Sequence, residues 1–343
     1  MRGFRCQKAG SGSHATVPLS RFSETDGKVL NMALPEMKDP PEWLLQLHLE
    51  LGRALQILCG SQYEAATRQS GYLARVEWQN LLTTISNPLR LEHFGRKIYS
   101  QNEEDGIIEQ LFFRLDIKPG SGVFIEIGVQ DGLECNTVYL LHAGFSGTWI
   151  DTSTKDVAQI RERFALPLQE GRLAIRNKFV TAENIDEILA TCLRVEDKVV
   201  VLSIDIDGND FWIWKAVSLI SPLIIVIEYN GKFPPPLSCV QKYDPAVVWR
   251  GTDYFGASLT ALVKLGRAKG YSLVACNITG INAFFVRDDL IKSNFPFALT
   301  AENLYHPCRY HLTQDCFSRF GHRPDFGPYV NVDEELLRSM SSK

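Results

Sequence analysis

At 343 residues, 45% of them hydrophobic and 22% charged, the chain has ordinary globular composition and length for one large domain with additions or for two domains. A formal net charge of −4 and a pI near 6.0 argue against a protein that lives on nucleic acid or an anionic membrane, because phosphate binding needs a basic surface excess. The sequence has no apolar run of about 18 residues and no charged start leading into an apolar stretch, so no bilayer span or secretory signal is expected and the reading is cytoplasmic.

Residues 1–30 are rich in Ser, Gly and Thr and read as a flexible tail. Arg2, Arg5, Lys8 and Arg21 stand there without an acid in the first 23 residues, as in a transit peptide, but no amphipathic apolar face accompanies them. Residues 31–97 read as an N-terminal helical region. In "DPPEWLLQLHLELGRALQILCG" a Pro40-Pro41 start, Glu42 in the first turn and leucines from Leu44 to Leu58 fit an amphipathic helix ending near Gly60. A second helix is expected from Gln62 to Ser86, with Asn87-Pro88 as its stop. The pair suits a lid or a homodimer surface, and plain packing explains it equally well.

The period then changes. Seven strand-like runs follow: Gly122 to Val129, Gly147 to Asp151, Leu173 to Val180, Lys198 to Ile206, Pro222 to Tyr229, Tyr271 to Asn277 and Asn282 to Asp288. Most are continuously apolar, as in parallel strands covered on both faces, and helical stretches separate the first six. The fold class is therefore α/β, a doubly wound seven-stranded sheet. The last two runs are joined only by "ITGI", too short for a crossover, so the seventh strand must run antiparallel to the sixth. Residues 98–290 form this domain and 291–343 a C-terminal extension. In the extension "HPCRYHLTQDC" gathers His306, Cys308, His311 and Cys316, at a spacing that matches no regular zinc motif.

"YSQNEEDGIIEQLFFRL", followed by "FIEIGVQDGLECNT", with "DIDGND" and "IEYN" further on, resembles class I S-adenosylmethionine-dependent methyltransferases, in particular the FkbM-like group of sugar and natural-product pathways. The resemblance covers roughly Tyr99 to Leu290, and Glu103 stands where that group commonly has Gly. It implies S-adenosylmethionine as cofactor, with Tyr99, Ser100 and Gln101 closing over its methionine end.

Glu126, Gly128 and Gly132 form an E-x-G-x-x-x-G turn after the first strand. The middle glycine of a dinucleotide fingerprint is replaced by Gln130, so a pyrophosphate fits poorly. A phosphate-free cofactor would use Glu126 near its amino-acid end and Asp151, at the second strand's tip, for its ribose. A capped strand end and a helix N-cap are the alternatives for these two acids. Thr181, Glu183 and Asn184 offer contacts for an adenine edge, and helix capping accounts for them almost as well.

At the fourth and fifth strand tips, Asp205, Asp207, Glu228 and Asn230 are expected to converge, since strand alternation puts each i, i+2 pair on one side. Converging carboxylates repel unless a cation or proton intervenes, and Mg²⁺ (or Mn²⁺) suits such a set. The arrangement is similar to metal-dependent O-methyltransferases, though Tyr229 separates the fifth-strand pair. Asp205 alone on cofactor or acceptor, and Asp207 to Asp210 as a turn and helix cap, are the competing readings, with the cap favoured for Asp210. Candidate bases are Lys232 and His306, with His311 a further one. The long segment from Asn230 to Leu259, with its prolines and Tyr243, Trp249, Tyr254 and Phe255, reads as a substrate lid.

The expected activity is methyl transfer to a hydroxylated small molecule. A metal-independent transfer to nitrogen or carbon, a nicotinamide oxidoreductase and a non-catalytic binding protein remain as alternatives.

Overall fold

The computed structural model describes residues 50–52, 58, 60, 69–295, 299–312 and 321–338. The expected tail, nearly all of the expected helix from Pro40 to Gly60, and Cys316 lie outside them. The chain divides into one unit over 1–66 and another over 67–343. In the first, the described residues are helical, with Leu51 and Leu58 exposed.

The second unit opens with helix α1, residues 69–84, which ends before Asn87-Pro88 as the steric demand of proline on its predecessor requires. A 3-10 turn at Leu91–Phe94 leads to α2 (Glu104–Leu115), closed by Asp116 at φ 52°. The chain then alternates through β1 (Val123–Ile127), α3 (Val138–His142), β2 (Ser146–Asp151), α4 (Thr154–Arg163), α5 (Ala165–Gln169), β3 (Leu173–Asn177), α6 (Ile185–Cys192), β4 (Val199–Ile204), α7 (Asp210–Ala216) and β5 (Ile224–Glu228). After these come β6 (Cys239–Gln241), α8 (Leu259–Ala268), β7 (Tyr271–Cys276), β8 (Asn282–Arg287), α9 (Ala301–Leu304), β9 (Tyr329–Asn331) and α10 (Glu334–Arg338).

Seven strands form one sheet in the order β3-β2-β1-β4-β5-β8-β7. All are parallel except β8, which enters between β5 and β7 and pairs antiparallel with both. The short turn forces this reversal: Asn277 Oδ1 accepts the amides of Ile281 and Asn282, both at 2.9 Å, and folds the chain back. Alternate residues of each strand serve opposite faces. Ile125, Leu202, Ile225 and Phe285 pack with Phe211, Trp214 and Leu262 on one side. Phe124, Trp149, Val201 and Val226 pack with Ile108, Leu111 and Leu141 on the other. β4 is buried along its whole length, which is why its sequence reads as unbroken apolar residues.

Outside this sheet, β6 pairs antiparallel with β9, so the C-terminal segment is woven onto the long segment after β5. No described helix is long and apolar enough to cross a membrane.

Candidate active site

Strand order reverses beside β1 and β4, and in such sheets ligands collect at the carboxyl ends of the strands flanking that point. Gly128 leaves β1 at φ +82°, and a Cβ there would stand 1.7 Å from the Asp205 carbonyl oxygen. Only glycine lets this turn lie against the end of β4. At the tip of β2, Asp151 accepts the amides of Val129 and Gln130 through one oxygen, at 3.1 and 2.9 Å, and that of Ser153 through the other, at 2.8 Å. It thereby fixes the β1 turn, while the cap of α4 is Ser153, which accepts from the Asp156 amide. Gly132, at φ +80°, packs against Trp149 and closes the turn.

Glu126 is placed otherwise than the sequence led us to expect. It is 1% exposed, and both oxygens are occupied by the Asn136 and Thr137 amides, the Thr137 hydroxyl and Ser203. Burial raises its pKa, and these bonds oppose the rise. Its role in this geometry is to anchor the entry to α3.

The Tyr99-to-Asp105 segment is a polar knot. Asp105 Oδ2 accepts three successive amides, those of Ile98, Tyr99 and Ser100, at 2.6 to 2.9 Å. Glu104 takes the side-chain amides of Asn277 and Asn282, and Glu103 takes the Thr279 amide and hydroxyl. The knot therefore ties the start of α2 to the β7–β8 turn. Tyr99 stacks on His142 at 5.0 Å, Ser100 is fully buried, and Gln101 gives its carbonyl to Lys97. Asn102 Oδ1 and Asp105 Oδ1 are buried without a hydrogen-bond partner among the described residues.

Asp205, Asp207 and Glu228 do converge, with ligand oxygens all within 4.8 Å of one another. Burial pushes all three pKa values up, and their mutual charge adds to the rise at Asp205 and Glu228. Glu228 Oε2 has no hydrogen-bond partner among the described residues. Asp210 stands apart: its oxygens accept the Ile206 and Gly208 amides, both at 2.9 Å, and hold the turn in which Asp207 takes φ 56°. Burial lifts Asp210 to about 6 against those bonds.

Asn230 is engaged with the backbone of the long segment: its amide nitrogen donates to the carbonyls of Asp253 and Phe255, and its oxygen accepts the Lys232 amide. Lys232 is paired with Asp253 at 2.7 Å. His306 lies 3.4 Å from the fully buried Glu92, which Arg90 also binds. His311 meets Glu77 at 3.0 Å, while Cys308 donates to the Gly280 carbonyl, so the four-residue His/Cys grouping is dispersed as far as it is described. Lys232 and His306 are thus each engaged with a carboxylate outside the three acids.

Asn184 bridges the Phe179 carbonyl and the Thr181 amide. Tyr243, from the long segment, donates to Glu183 at 2.6 Å and accepts the Ala182 amide at 3.1 Å. The long segment is thus pinned to the loop after β3. Two residues near the acids gave no signal in the sequence. Tyr310 has its pKa pushed up by burial and then by the charges of Cys308, Glu228 and Asp207, and its ring lies 4.7 Å from that of His322. Gln241, at the end of β6, is 3% exposed. A cleft of ≈ 1000 Å³ between α6, α7, α8 and α10 reaches Pro222 and Tyr271, which open β5 and β7, and so borders the opposite edge of the sheet.

No family model and no curated protein matches the chain. Among solved structures it is similar to an S-adenosylmethionine-dependent methyltransferase from Geobacter sulfurreducens in complex with S-adenosyl-L-homocysteine, at 18% identity over 54% of this chain and 70% of that one, TM-score 0.31. It is also similar to the glycopeptide N-methyltransferase MtfA, at 11% identity over 52% and 85%, TM-score 0.33. A methyltransferase from Clostridium acetobutylicum aligns at 11% identity over 62% and 97%, TM-score 0.33. The strand order itself, with β8 antiparallel between β5 and β7, defines the fold as that of class I methyltransferases.

Proposed function

We propose that this protein is an S-adenosylmethionine-dependent methyltransferase of the FkbM-like kind, acting on a hydroxyl of a small molecule with a divalent cation held by Asp205, Asp207 and Glu228. The observation that carries the reading is the convergence of these three acids at the switch point of this sheet. S-adenosylmethionine supplies a methyl group already activated on a sulfonium. A hard cation supplies positive charge that favours an ionised acceptor hydroxyl.

The chain's residues suit both. The glycine turn at Gly128 and Asp151 hold the cofactor side of the crevice. Three converging carboxylates, one carrying an oxygen without a hydrogen-bond partner among the described residues, are a donor set for Mg²⁺ or Mn²⁺. The lid, with Tyr243 fastened to Glu183, excludes water and fixes the acceptor in line. Tyr310, kept protonated by burial and by the nearby acids, is a hydrogen-bond donor there, and the His322 imidazole beside its hydroxyl is the group that can take a proton.

Calorimetry tests the reading. S-adenosylhomocysteine should bind at micromolar concentration while NAD⁺ does not, and Asp151→Ala should weaken that binding at least tenfold. Binding of NAD⁺ alone would make the protein an oxidoreductase, and binding of neither would make it a non-catalytic relative.

A further inference from the structure

We propose that Gln241 Oε1 is a fourth oxygen ligand of the cation site, so that the bound ion fastens strand β6 of the lid to the tips of β4 and β5. The inference rests on the cation reading above and adds to it a residue on a different element.

Gln241 is 3% exposed, and its Oε1 has no hydrogen-bond partner among the described residues. That oxygen lies 3.5 Å from where a Cβ on Gly208 would stand, against the residue that follows Asp207. The backbone of Gln241 is fixed on three sides: its amide donates to Gly256 at 2.8 Å, its carbonyl accepts Trp212 Nε1 at 2.8 Å, and it pairs with Tyr329 of β9. The side chain is thus delivered to this position by a rigid frame, buried with its acceptor uncompensated. Buried acceptors are normally paired, and an orphan against the turn that carries Asp207 calls for a donor or a cation as its complement.

The chemistry of the set agrees. A neutral amide oxygen is a hard ligand that adds no charge to three carboxylates already repelling one another. Asn230 carries the same group, but its oxygen already accepts the Lys232 amide while its nitrogen donates to the Asp253 and Phe255 carbonyls, whereas Gln241 Oε1 has no partner among the described residues. Gln241 supplies the same functional group from the lid. Because β6 is paired with β9, binding the ion also holds the C-terminal segment in register.

Mn²⁺ binding to the metal-free full chain, followed by electron paramagnetic resonance, tests this with Gln241→Met, Gln241→Glu and Asp205→Asn. Wild type should bind one ion, Gln241→Met at least tenfold more weakly, Gln241→Glu as tightly as wild type or better, and Asp205→Asn not detectably. Hydrogen exchange of the 239–241 amides should slow on adding Mn²⁺ to wild type and stay unchanged in Gln241→Met. Wild-type affinity in Gln241→Met, with binding lost in Asp205→Asn, overturns the role of Gln241 and leaves the three-acid site standing. Absence of binding in wild type overturns both, and S-adenosylhomocysteine binding then decides separately whether the methyltransferase reading survives.

Discussion

Glu103 is buried at 5% exposure, with its carboxylate on the Thr279 amide and hydroxyl. Burial, and then the charge of Glu104 beside it, lifts its pKa from 4.5 to about 7. The folded chain therefore binds a proton that the unfolded chain has released, and stability falls as pH rises from about 4.5 to about 7 and is level above. For this one group the loss is on the order of 3 kcal/mol. Glu103→Gln keeps the size and one acceptor oxygen while removing the titration. Urea melts at pH 5 and pH 8 should show a smaller drop for the variant than for wild type. Equal drops would mean that Glu103 ionises without cost. In this fold Glu103 has a task, holding the β7–β8 turn against α2.

At the scale of elements, the long segment after β5 is held by the backbone pairing of β6 with β9 and by single side chains, of which Tyr243 is the clearest. Burial and then the bond to Glu183 raise its pKa to about 12, so it stays a neutral donor across the working range. Tyr243→Phe removes the bonds to Glu183 and to the Ala182 amide, a loss of about 1 kcal/mol each. S-adenosylhomocysteine binding should weaken five- to thirtyfold, and the melting temperature should fall by roughly 4–8 °C. An unchanged dissociation constant would separate the lid from the cofactor. The sheet itself was legible in the sequence because continuous apolar runs and one impossible crossover leave few arrangements. The site was only half legible. Alternation predicts that Asn230 shares a side with Glu228, but β5 ends at Glu228 and the chain turns. Asp207 reaches Asp205 for the opposite reason, through a left-handed turn after β4 that Asp210 braces. Gln241 sits in a three-residue strand with no period to read, and its partner strand lies about ninety residues on. Nothing local in the sequence reveals that the 136–137 amides fold back onto Glu126.

For the whole molecule, the tips of the sheet hold like charges that destabilise the metal-free fold. Asp205, Asp207 and Glu228 crowd within 4.8 Å, and burial raises the cost of every charge they keep. A fold that carries such repulsion trades stability for a site. Asp207→Asn lowers the repulsion without creating a cavity, so the metal-free variant should melt at or above wild type. A cation that binds only the folded chain adds about 2.7 kcal/mol at a hundred times its dissociation constant, or roughly 5–10 °C for a domain of this size. Wild type should show that rise with Mn²⁺, and Asp207→Asn should show little of it. If the variant melts below metal-free wild type and Mn²⁺ moves neither, the three acids are held by hydrogen bonding alone and the cation has no place in this fold. The two melts in parallel separate a cluster kept for binding from one kept for structure, because only the first gains stability when a charge is removed.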